Sequence, residues 1–339
     1  MGSDAAPNTR FREAFAGRRV CVTGGAGFIG GHLVQALLGL GADVTVIDDL
    51  SNSDGTRLDE LQQASKGKLH FVLGSILDPA ALADATAGVE YIFHEAAIVS
   101  VPRSVDDPER TMEVNEIGTL RVADAARAAG VKRWVFAASS AAYGDESALP
   151  QKESETPKPL SPYAASKLAG EYTVRAWAET YGTPGVSLRY FNVFGPHQSA
   201  EGPYSGVIAA FCTRILAGTP PTIYGDGSYS RDFTPVANVV RANLLAALAP
   251  ESAMGEVMNV GLGKRTTILE LASSLASIAG RPDLKPTFQP ARAGDVPHSQ
   301  ADLTKAREIL GYTPDVDLQA GLAETVEWYR RAPRATDDG

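Results

Sequence analysis

The sequence is poor in the residues and runs that disulfide frameworks, metal centres and membrane spans require. Its two cysteines, Cys21 and Cys212, lie in an apolar strand-like run and a helical run, which favours reduced, buried thiols over a disulfide. The five histidines have no metal-ligand spacing, so no metal is predicted. No apolar run approaches the roughly 18 residues of a membrane helix, so no membrane contact is expected.

An excess of positive charge is also absent. The sequence has 31 lysines and arginines against 40 aspartates and glutamates, a net charge of −9, without a basic tail. Nucleic acid and anionic membranes are therefore not expected as partners, since both need a positive face. Residues 1–15 carry several charges and no apolar segment, so they do not resemble a secretory signal. We therefore predict a cytoplasmic protein.

Strand-like and helix-like segments alternate over the first part of the 339 residues. Alternation of this kind indicates parallel βαβ units, and it predicts an α/β, doubly wound Rossmann-type sheet over residues 1–190. The predicted strands are 19–23, 43–47, 69–73, 90–94, 132–138 and 185–190, and the predicted helices are 28–40, 109–129 and 161–181.

The pattern changes after Tyr190, where loops lengthen and glycine and proline cluster. We interpret residues 191–339 as a smaller, mixed α/β substrate lobe that covers the carboxyl ends of the strands. A strand-like run at 256–260, within a segment of about 232–262, predicts that the chain returns to the first domain.

A glycine-rich turn, Thr23-Gly-Gly-Ala-Gly-Phe-Ile-Gly30, follows the first predicted strand and opens the first predicted helix. Gly24, Gly27 and Gly30 have the spacing that allows a tight turn, approach to a pyrophosphate, and close packing of the helix on the strand. Phosphates would then lie at a helix N-terminus, where free N–H groups favour negative charge. Asp48 ends the second strand, where a carboxylate binds ribose hydroxyls and repels a 2′-phosphate, which predicts NAD rather than NADP.

Tyr163 and Lys167 are four residues apart on one predicted helix, so their side chains share a face. A free tyrosine has a pKa of about 10, too high for a base at neutral pH. A neighbouring ammonium group and a cationic nicotinamide ring would lower that pKa. Ser139 follows the fifth predicted strand, at the edge where such sheets bind ligands, and can relay a proton to Tyr163.

Taken together, these features resemble the extended short-chain dehydrogenase/reductase family over nearly the whole chain, from Arg18 to Tyr329, and within it the NAD-dependent UDP-hexose 4-epimerases. The matching motifs are His94-Glu-Ala-Ala97, Asn115, Ala137-Ala-Ser-Ser-Ala-Ala-Tyr-Gly144, Pro159-Leu-Ser-Pro-Tyr163, Arg189-Tyr-Phe-Asn-Val-Phe-Gly195, Ser230-Arg-Asp-Phe233 and Arg292-Ala-Gly-Asp295. Two further stretches, Ser100-Val-Pro-Arg-Ser104 and His298-Ser-Gln-Ala-Asp302, resemble the branch that acts on N-acetylated sugars.

The resemblance implies a role for each matching residue. Ser139, Tyr163 and Lys167 would be catalytic, Arg231 and Arg292 would bind the substrate diphosphate, and a guanidinium pair suits that group. Ser75 stands where the family usually has an aspartate that contacts adenine. The implied cofactor set is Gly24, Gly27, Phe28, Ile29, Gly30, Asp48, Ser75, Ile76, Ala96, Asn115, Tyr163, Lys167, Tyr190 and Val193. The implied substrate set is Ser100, Arg103, Ser139, Ser140, Tyr163, Asn192, Val207, Arg231, Arg292, Asp295 and Ser299, with Asp295 on the uridine ribose.

The resemblance also implies the reaction, a reversible inversion at C4 of a UDP-hexose through a 4-keto intermediate with tightly bound NAD, in a homodimer. The small Ser299 would admit a 2-acetamido group, so both UDP-glucose and UDP-N-acetylglucosamine are expected substrates. A UDP-uronic acid 4-epimerase is an alternative, in which Arg103 or His197 pairs with the carboxylate. Ala141-Ala142, in place of an acid–base pair, disfavours a dehydratase, and the intact catalytic trio disfavours a non-catalytic NAD-binding regulator.

Overall fold

The computed structural model describes residues 5–145, 148–200, 206–291 and 296–332. Its main feature is a seven-stranded sheet in which every pair of neighbours is parallel. The strands are β1 Arg19–Thr23, β2 Asp43–Asp48, β3 Leu69–Leu73, β4 Tyr91–His94, β5 Arg133–Ser139, β6 Gly185–Tyr190, β7 Val193–Phe194, β8 Thr222–Tyr224, β9 Ser230–Arg231, β10 Thr234–Pro235, β11 Val257–Val260, β12 Thr266–Thr267 and β13 Thr287–Gln289.

Helices cover both faces of this sheet and build most of the second lobe. They are α1 Ala5–Phe15, α2 Phe28–Gly39, α3 Thr56–Ala64, α4 Pro79–Ala85, α5 Val101–Asp106, α6 Pro108–Met112, α7 Gly118–Ala129, α8 Pro162–Tyr181, α9 Val207–Leu216, α10 Val236–Ala247, α11 Ile268–Ile278, α12 Thr304–Leu310 and α13 Leu318–Arg331.

The strand order in the main sheet is β11-β6-β5-β4-β1-β2-β3. All residues of β4 and β6 are buried, as expected for strands with helices on both faces. The chain therefore forms a Rossmann-type α/β fold, and the predicted fold class is confirmed. Beside β6, the edge strand β11 comes from further along the chain, after residues 191–256.

The second lobe has its own apolar core, formed where α9, α11 and α13 pack together. Phe211 and Ile215 on α9 are buried against Leu271 and Leu275 on α11, and Leu322 on α13 belongs to the same cluster. We keep the division into residues 1–190, with the return at about 232–262, and residues 191–339 as a proposal.

Several elements differ from the sequence prediction, and among them the helices α3, α4 and α5 were not predicted. The N-terminal helix α1 was not predicted, yet Phe11 and Phe15, four residues apart, are buried on one face, and the Phe15 ring lies 5.2 Å from that of Tyr91. The predicted helix 109–129 consists of α6 and α7 joined by a π-helical turn over Glu113–Ile117. Such a turn adds a residue to the helix and often marks a functional site.

Within the residues that the structure describes, no helix is both long and apolar enough to cross a membrane. The same residues contain no cluster of three or more potential metal-binding side chains from histidine, cysteine, aspartate and glutamate.

Candidate active site

A cavity of about 1050 Å³ opens at the carboxyl ends of the parallel strands. β1 lies between β2 and β4, so chain connections diverge there to the two sides of the sheet, the usual ligand position in doubly wound folds. Residues from both lobes line the cavity. Those predicted from the sequence are Gly24, Gly27, Phe28, Ile29, Gly30, Asp48, Ser75, Ile76, Ala96, Arg103, Ser139, Ser140, Tyr163, Lys167, Tyr190, Asn192, Val193, Arg231 and Ser299.

The glycine-rich turn has the close packing that a dinucleotide loop needs. Gly24 has a φ of +69°, and a Cβ atom there would lie 2.7 Å from the Ala96 nitrogen. A Cβ atom on Gly30 would lie only 2.1 Å from the Gly24 oxygen. Gly27 is the N-cap of α2, so no side chain caps the first N–H groups of that helix. These features fit the pyrophosphate of a dinucleotide.

We expect Gly30→Ala to destabilise this turn by about 1–3 kcal/mol, since the added methyl group has no space against the Gly24 carbonyl. Thermal unfolding and NAD titration would measure the change, and NAD affinity should fall with stability. Gly39→Ala is the matched control on the same helix, because nothing lies within 4 Å of its added Cβ. Equal effects of both substitutions would contradict the packing argument.

Asp48 is half-buried at the end of β2, and its carboxylate accepts hydrogen bonds from the Ala26 and Leu50 nitrogens at 3.0 and 2.9 Å. The first bond ties the end of β2 to the glycine turn. Burial is the main cause of a raised pKa for Asp48, and the two backbone bonds act against it. Ser75 accepts a bond from the Leu77 nitrogen at 3.2 Å and lines the same part of the cavity.

The three predicted catalytic side chains lie together in the middle of the cavity wall. Ser139 is the last residue of β5, and Tyr163 lies near the N-terminus of α8, where the Ser139 hydroxyl is close enough to its phenol to lower the pKa of that group. Ser161 caps this helix by accepting a bond from the Ala164 nitrogen at 3.1 Å, which fixes the turn that carries Tyr163. Lys167, one turn further, donates to the Ala137 oxygen at 2.8 Å.

Burial is the largest influence on the pKa of Tyr163 and on that of Lys167. It raises the pKa of Tyr163, with the nearby Ser139 hydroxyl acting in the opposite direction and the charge of Glu95 adding to the rise. Burial also lowers the pKa of Lys167 to about 8, against the influence of Glu95. The lowered Tyr163 pKa that the sequence predicts therefore depends on the positive charge of a bound nicotinamide.

Asn115 does not line the cavity but supports the wall from behind. It lies in the π-helical turn, is 1% exposed, and exchanges hydrogen bonds with the backbone nitrogen and oxygen of Ile98 at 2.8 and 2.9 Å. Its amide also donates to Ser166 on α8 at 3.0 Å. Asn115 thus connects the loop after β4 to the helix that carries Tyr163 and Lys167.

Glu95 is a cavity residue to which the sequence analysis gave no role. It follows β4 directly, and its carboxylate accepts a hydrogen bond from the Tyr190 hydroxyl at 2.7 Å. Its position at the carboxyl end of a buried strand was the available signal. Gln198 also lines the cavity, and its amide donates to the Val193 oxygen at 3.2 Å.

The second lobe supplies the far end of the cavity. The Arg231 guanidinium donates to the Ser230 and Pro297 oxygens, each at 3.0 Å. The Ser299 hydroxyl donates to the Asn192 side chain at 3.4 Å. Asn192 and Ser299 were predicted separately and are far apart in the sequence, yet their side chains contact each other.

Two of the remaining predicted substrate residues, Ser100 and Val207, do not line the cavity. Ser100 caps α5 by accepting a bond from the Arg103 nitrogen at 3.2 Å, and it lies beside the cavity mouth, which Arg103 lines. Val207, the first residue of α9, packs against the second-lobe core instead. Arg292 and Asp295 fall outside the described residues.

Comparisons with known proteins agree with this geometry. The profile of the NAD dependent epimerase/dehydratase family matches residues 20–261. A UDP-glucose 4-epimerase from Mycolicibacterium smegmatis is 42% identical over 318 residues, which cover 92% of this chain and 98% of the relative.

Two solved structures have the same fold. A UDP-N-acetylglucosamine 4-epimerase from Methanobrevibacter ruminantium, in complex with UDP-N-acetylmuramic acid, is 38% identical with a TM-score of 0.87, covering 93% of this chain and 99% of that one. A UDP-glucose 4-epimerase from Thermotoga maritima, with UDP-glucose, is 40% identical with a TM-score of 0.86, covering 92% and 98%.

The predictions of the fold, of NAD as the cofactor and of an isomerase of the epimerase type are confirmed by this agreement. The sugar and the role of each residue stay predictions. From the glycine turn through the catalytic trio to the second lobe, sequence and structure lead to one conclusion: the chain belongs to the NAD-dependent epimerase/dehydratase family.

Proposed function

We propose that this protein interconverts the two C4 epimers of a UDP-hexose, with UDP-glucose and UDP-N-acetylglucosamine as substrates. The main support is one observation. Ser139, Tyr163 and Lys167 line the same cavity as a dinucleotide turn and Arg231, so a cofactor and an anionic nucleotide-sugar can meet at the catalytic phenol.

The catalytic residues have separate tasks in this proposal. The Tyr163 phenolate removes the proton of the sugar 4-hydroxyl, and Ser139, whose hydroxyl lies near that phenol, orients the same oxygen. Lys167 is held by the Ala137 carbonyl and contributes positive charge beneath the site. NAD, held at the glycine turn, would supply reversible hydride transfer at C4 of the sugar.

Arg231 is the described residue best suited to hold the UDP diphosphate, since carbonyl oxygens fix its guanidinium at the cavity wall. We propose Arg292 and Asp295 as its partners on the diphosphate and ribose. Firm contacts at the nucleotide end would leave the sugar ring free to turn over between the two hydride transfers.

Incubation with a panel of UDP-hexoses, UDP-N-acetylhexosamines and UDP-uronates, followed by separation of C4 epimers, tests the proposal. Conversion of UDP-glucose and UDP-N-acetylglucosamine would support it. Conversion of a uronate alone would replace it by the uronic acid reaction, in which Arg103 at the cavity mouth pairs with the carboxylate. No conversion of any sugar would favour a binding protein without catalysis.

We expect Ser299→Tyr to reduce turnover of UDP-N-acetylglucosamine at least about tenfold more than turnover of UDP-glucose. Ser299 is 8% exposed and lines the cavity beside Asn192, so an aromatic ring there would occupy space needed by the 2-acetamido group. Steady-state kinetics on both substrates measure the ratio. Ser273→Tyr, at an exposed serine of the same lobe, is the control. An equal loss on both substrates would contradict this role.

We also propose a homodimer that uses α7, α8 and the turn before them. Ile117 is 43% exposed and Tyr172 on α8 is 59% exposed, and both belong to helices that pack on each other. Apolar side chains exposed on neighbouring helices suit contact with a second copy. Light scattering in solution would give the mass that decides between one and two chains.

A further inference from the structure

The proposed reaction gives roles to Ser139, Tyr163 and Lys167 but none to Glu95. Its backbone nitrogen donates to the Thr23 oxygen at 3.1 Å, which fixes the start of the loop after β4. A Cβ atom on Gly24 would lie 3.0 Å from the Glu95 carbonyl carbon, so the residue is in contact with the dinucleotide turn. Its side chain reaches the other way, to Tyr190 at the end of β6.

A directed chain of hydrogen bonds ends on the Glu95 carboxylate. The Asn243 Nδ2 atom donates to the Val239 carbonyl at 2.9 Å, and a carbonyl can only accept, so the orientation of the Asn243 amide is fixed. The same nitrogen donates to the Tyr190 oxygen at 2.7 Å. The Tyr190 proton is then directed to Glu95, whose Oε1 atom accepts it at 2.7 Å. This chain suits a carboxylate in its charged form.

Within the part of the chain that the structure describes, no lysine or arginine forms an ion pair with this carboxylate. Lys167 lies within electrostatic range of Glu95, but its ammonium group donates to the Ala137 oxygen. Burial raises the pKa of Glu95 to about 7, against the lowering effects of Tyr190 and Lys167. A cationic ligand in the cavity would relieve the cost of burying this charge.

We propose that Glu95 stabilises the positive charge of the bound cofactor. Its carboxylate is held by Tyr190 and Asn243, and it favours the oxidised, cationic nicotinamide over the reduced, neutral form. This inference rests on the proposed function only in assuming that hydride leaves and returns at this site. Transfer of hydride from C4 to the bound nicotinamide removes the ring's positive charge, while the O4 proton passes to Tyr163. A fixed negative charge opposes that loss and so favours return of hydride to the sugar.

The test measures the cofactor itself, without any sugar. Protein with bound NAD is equilibrated anaerobically with a dye couple of known potential at about pH 8, where Glu95 is ionised, and the reduced fraction is read from nicotinamide absorbance. Glu95→Gln should raise the ratio of reduced to oxidised cofactor about tenfold at a given potential. Glu95→Asp, which keeps the charge, should stay within about twofold of the wild type.

Two more variants complete the experiment. Asp49→Asn removes a negative charge from the exposed side of the same cavity, next to Asp48, and should leave the ratio unchanged. Tyr190→Phe removes the donor that stabilises the carboxylate, so it should shift the ratio in the direction of Glu95→Gln by a smaller factor. If Glu95→Gln does not fold, the ratio of reduced to oxidised cofactor in Tyr190→Phe tests the inference instead.

An unchanged ratio in Glu95→Gln, or in Tyr190→Phe when the first variant does not fold, would overturn the inference. So would an equal shift in Glu95→Gln and Asp49→Asn, since charge alone, rather than this position, would then explain it. Failure to convert any UDP-sugar would instead overturn the proposed function, and it would leave the redox ratio measurable.

Discussion

Replacing Tyr163 with phenylalanine should reduce turnover of the UDP-sugar by about a thousandfold, while fold and cofactor binding are retained. The substitution removes only the hydroxyl that would take the proton of the 4-hydroxyl group. Ser139, which keeps its bond to the Ala141 nitrogen at 3.2 Å, cannot replace it, because a serine hydroxyl is not a base at neutral pH. Steady-state kinetics, with NAD content and circular dichroism, measure both parts of the expectation.

Tyr181→Phe is the matched control, since Tyr181 is on the same helix but is half exposed and outside the cavity. It should keep wild-type turnover. Near-normal turnover by Tyr163→Phe would show that another group takes the proton and would end the acid–base assignment.

The second large effect concerns stability. Glu171 on α8 and Arg189 on β6 form a two-point ion pair at 2.8 and 2.7 Å, with side chains only 6% and 2% exposed. The Arg189 guanidinium also lies 4.5 Å from the centre of the Tyr143 ring. Glu171→Ala would leave this arginine charged, buried and without its carboxylate, so we expect a loss of about 3–5 kcal/mol in the free energy of unfolding.

Chemical denaturation of the cofactor-loaded protein would measure this loss. Glu327→Ala is the comparison, because its pair with Arg330 is 2.6 Å long but about half exposed, and exposed pairs contribute about 0–1 kcal/mol. The double substitution Glu171→Leu with Arg189→Met should recover part of the stability, since it leaves no unpaired charge. Equal effects at both glutamates would contradict the burial argument.

The sequence was sufficient where function depends on local spacing. The glycine turn needs three glycines within seven residues, and Tyr163 and Lys167 need only one helical turn between them, so both were visible before the fold was known. The seven strands of the main sheet were also predicted to within a residue, because buried parallel strands are short apolar runs between helices, whereas the six two- and three-residue strands of the other sheets were not predicted.

Contacts between distant residues could not be predicted in this way. The bond from Tyr190 to Glu95 and the pair of Arg189 with Glu171 join different elements, and neither has a sequence pattern of its own. The π-helical turn at Asn115 was read as ordinary helix, because one additional residue hardly changes the apolar period.

The late return of β11 to the sheet has a consequence for synthesis of the chain. β6 is one of the most completely buried strands, yet its outer neighbour β11 begins at Val257, after residues 191–256 have been made. Until then a nascent chain presents an apolar strand with unpaired backbone groups, which is a template for aggregation. Residues 191–256 are thus made before the main sheet is complete, and a chain cut before Val257 would lack the outer strand of that sheet as well as the helices α11 and α13 of the second core.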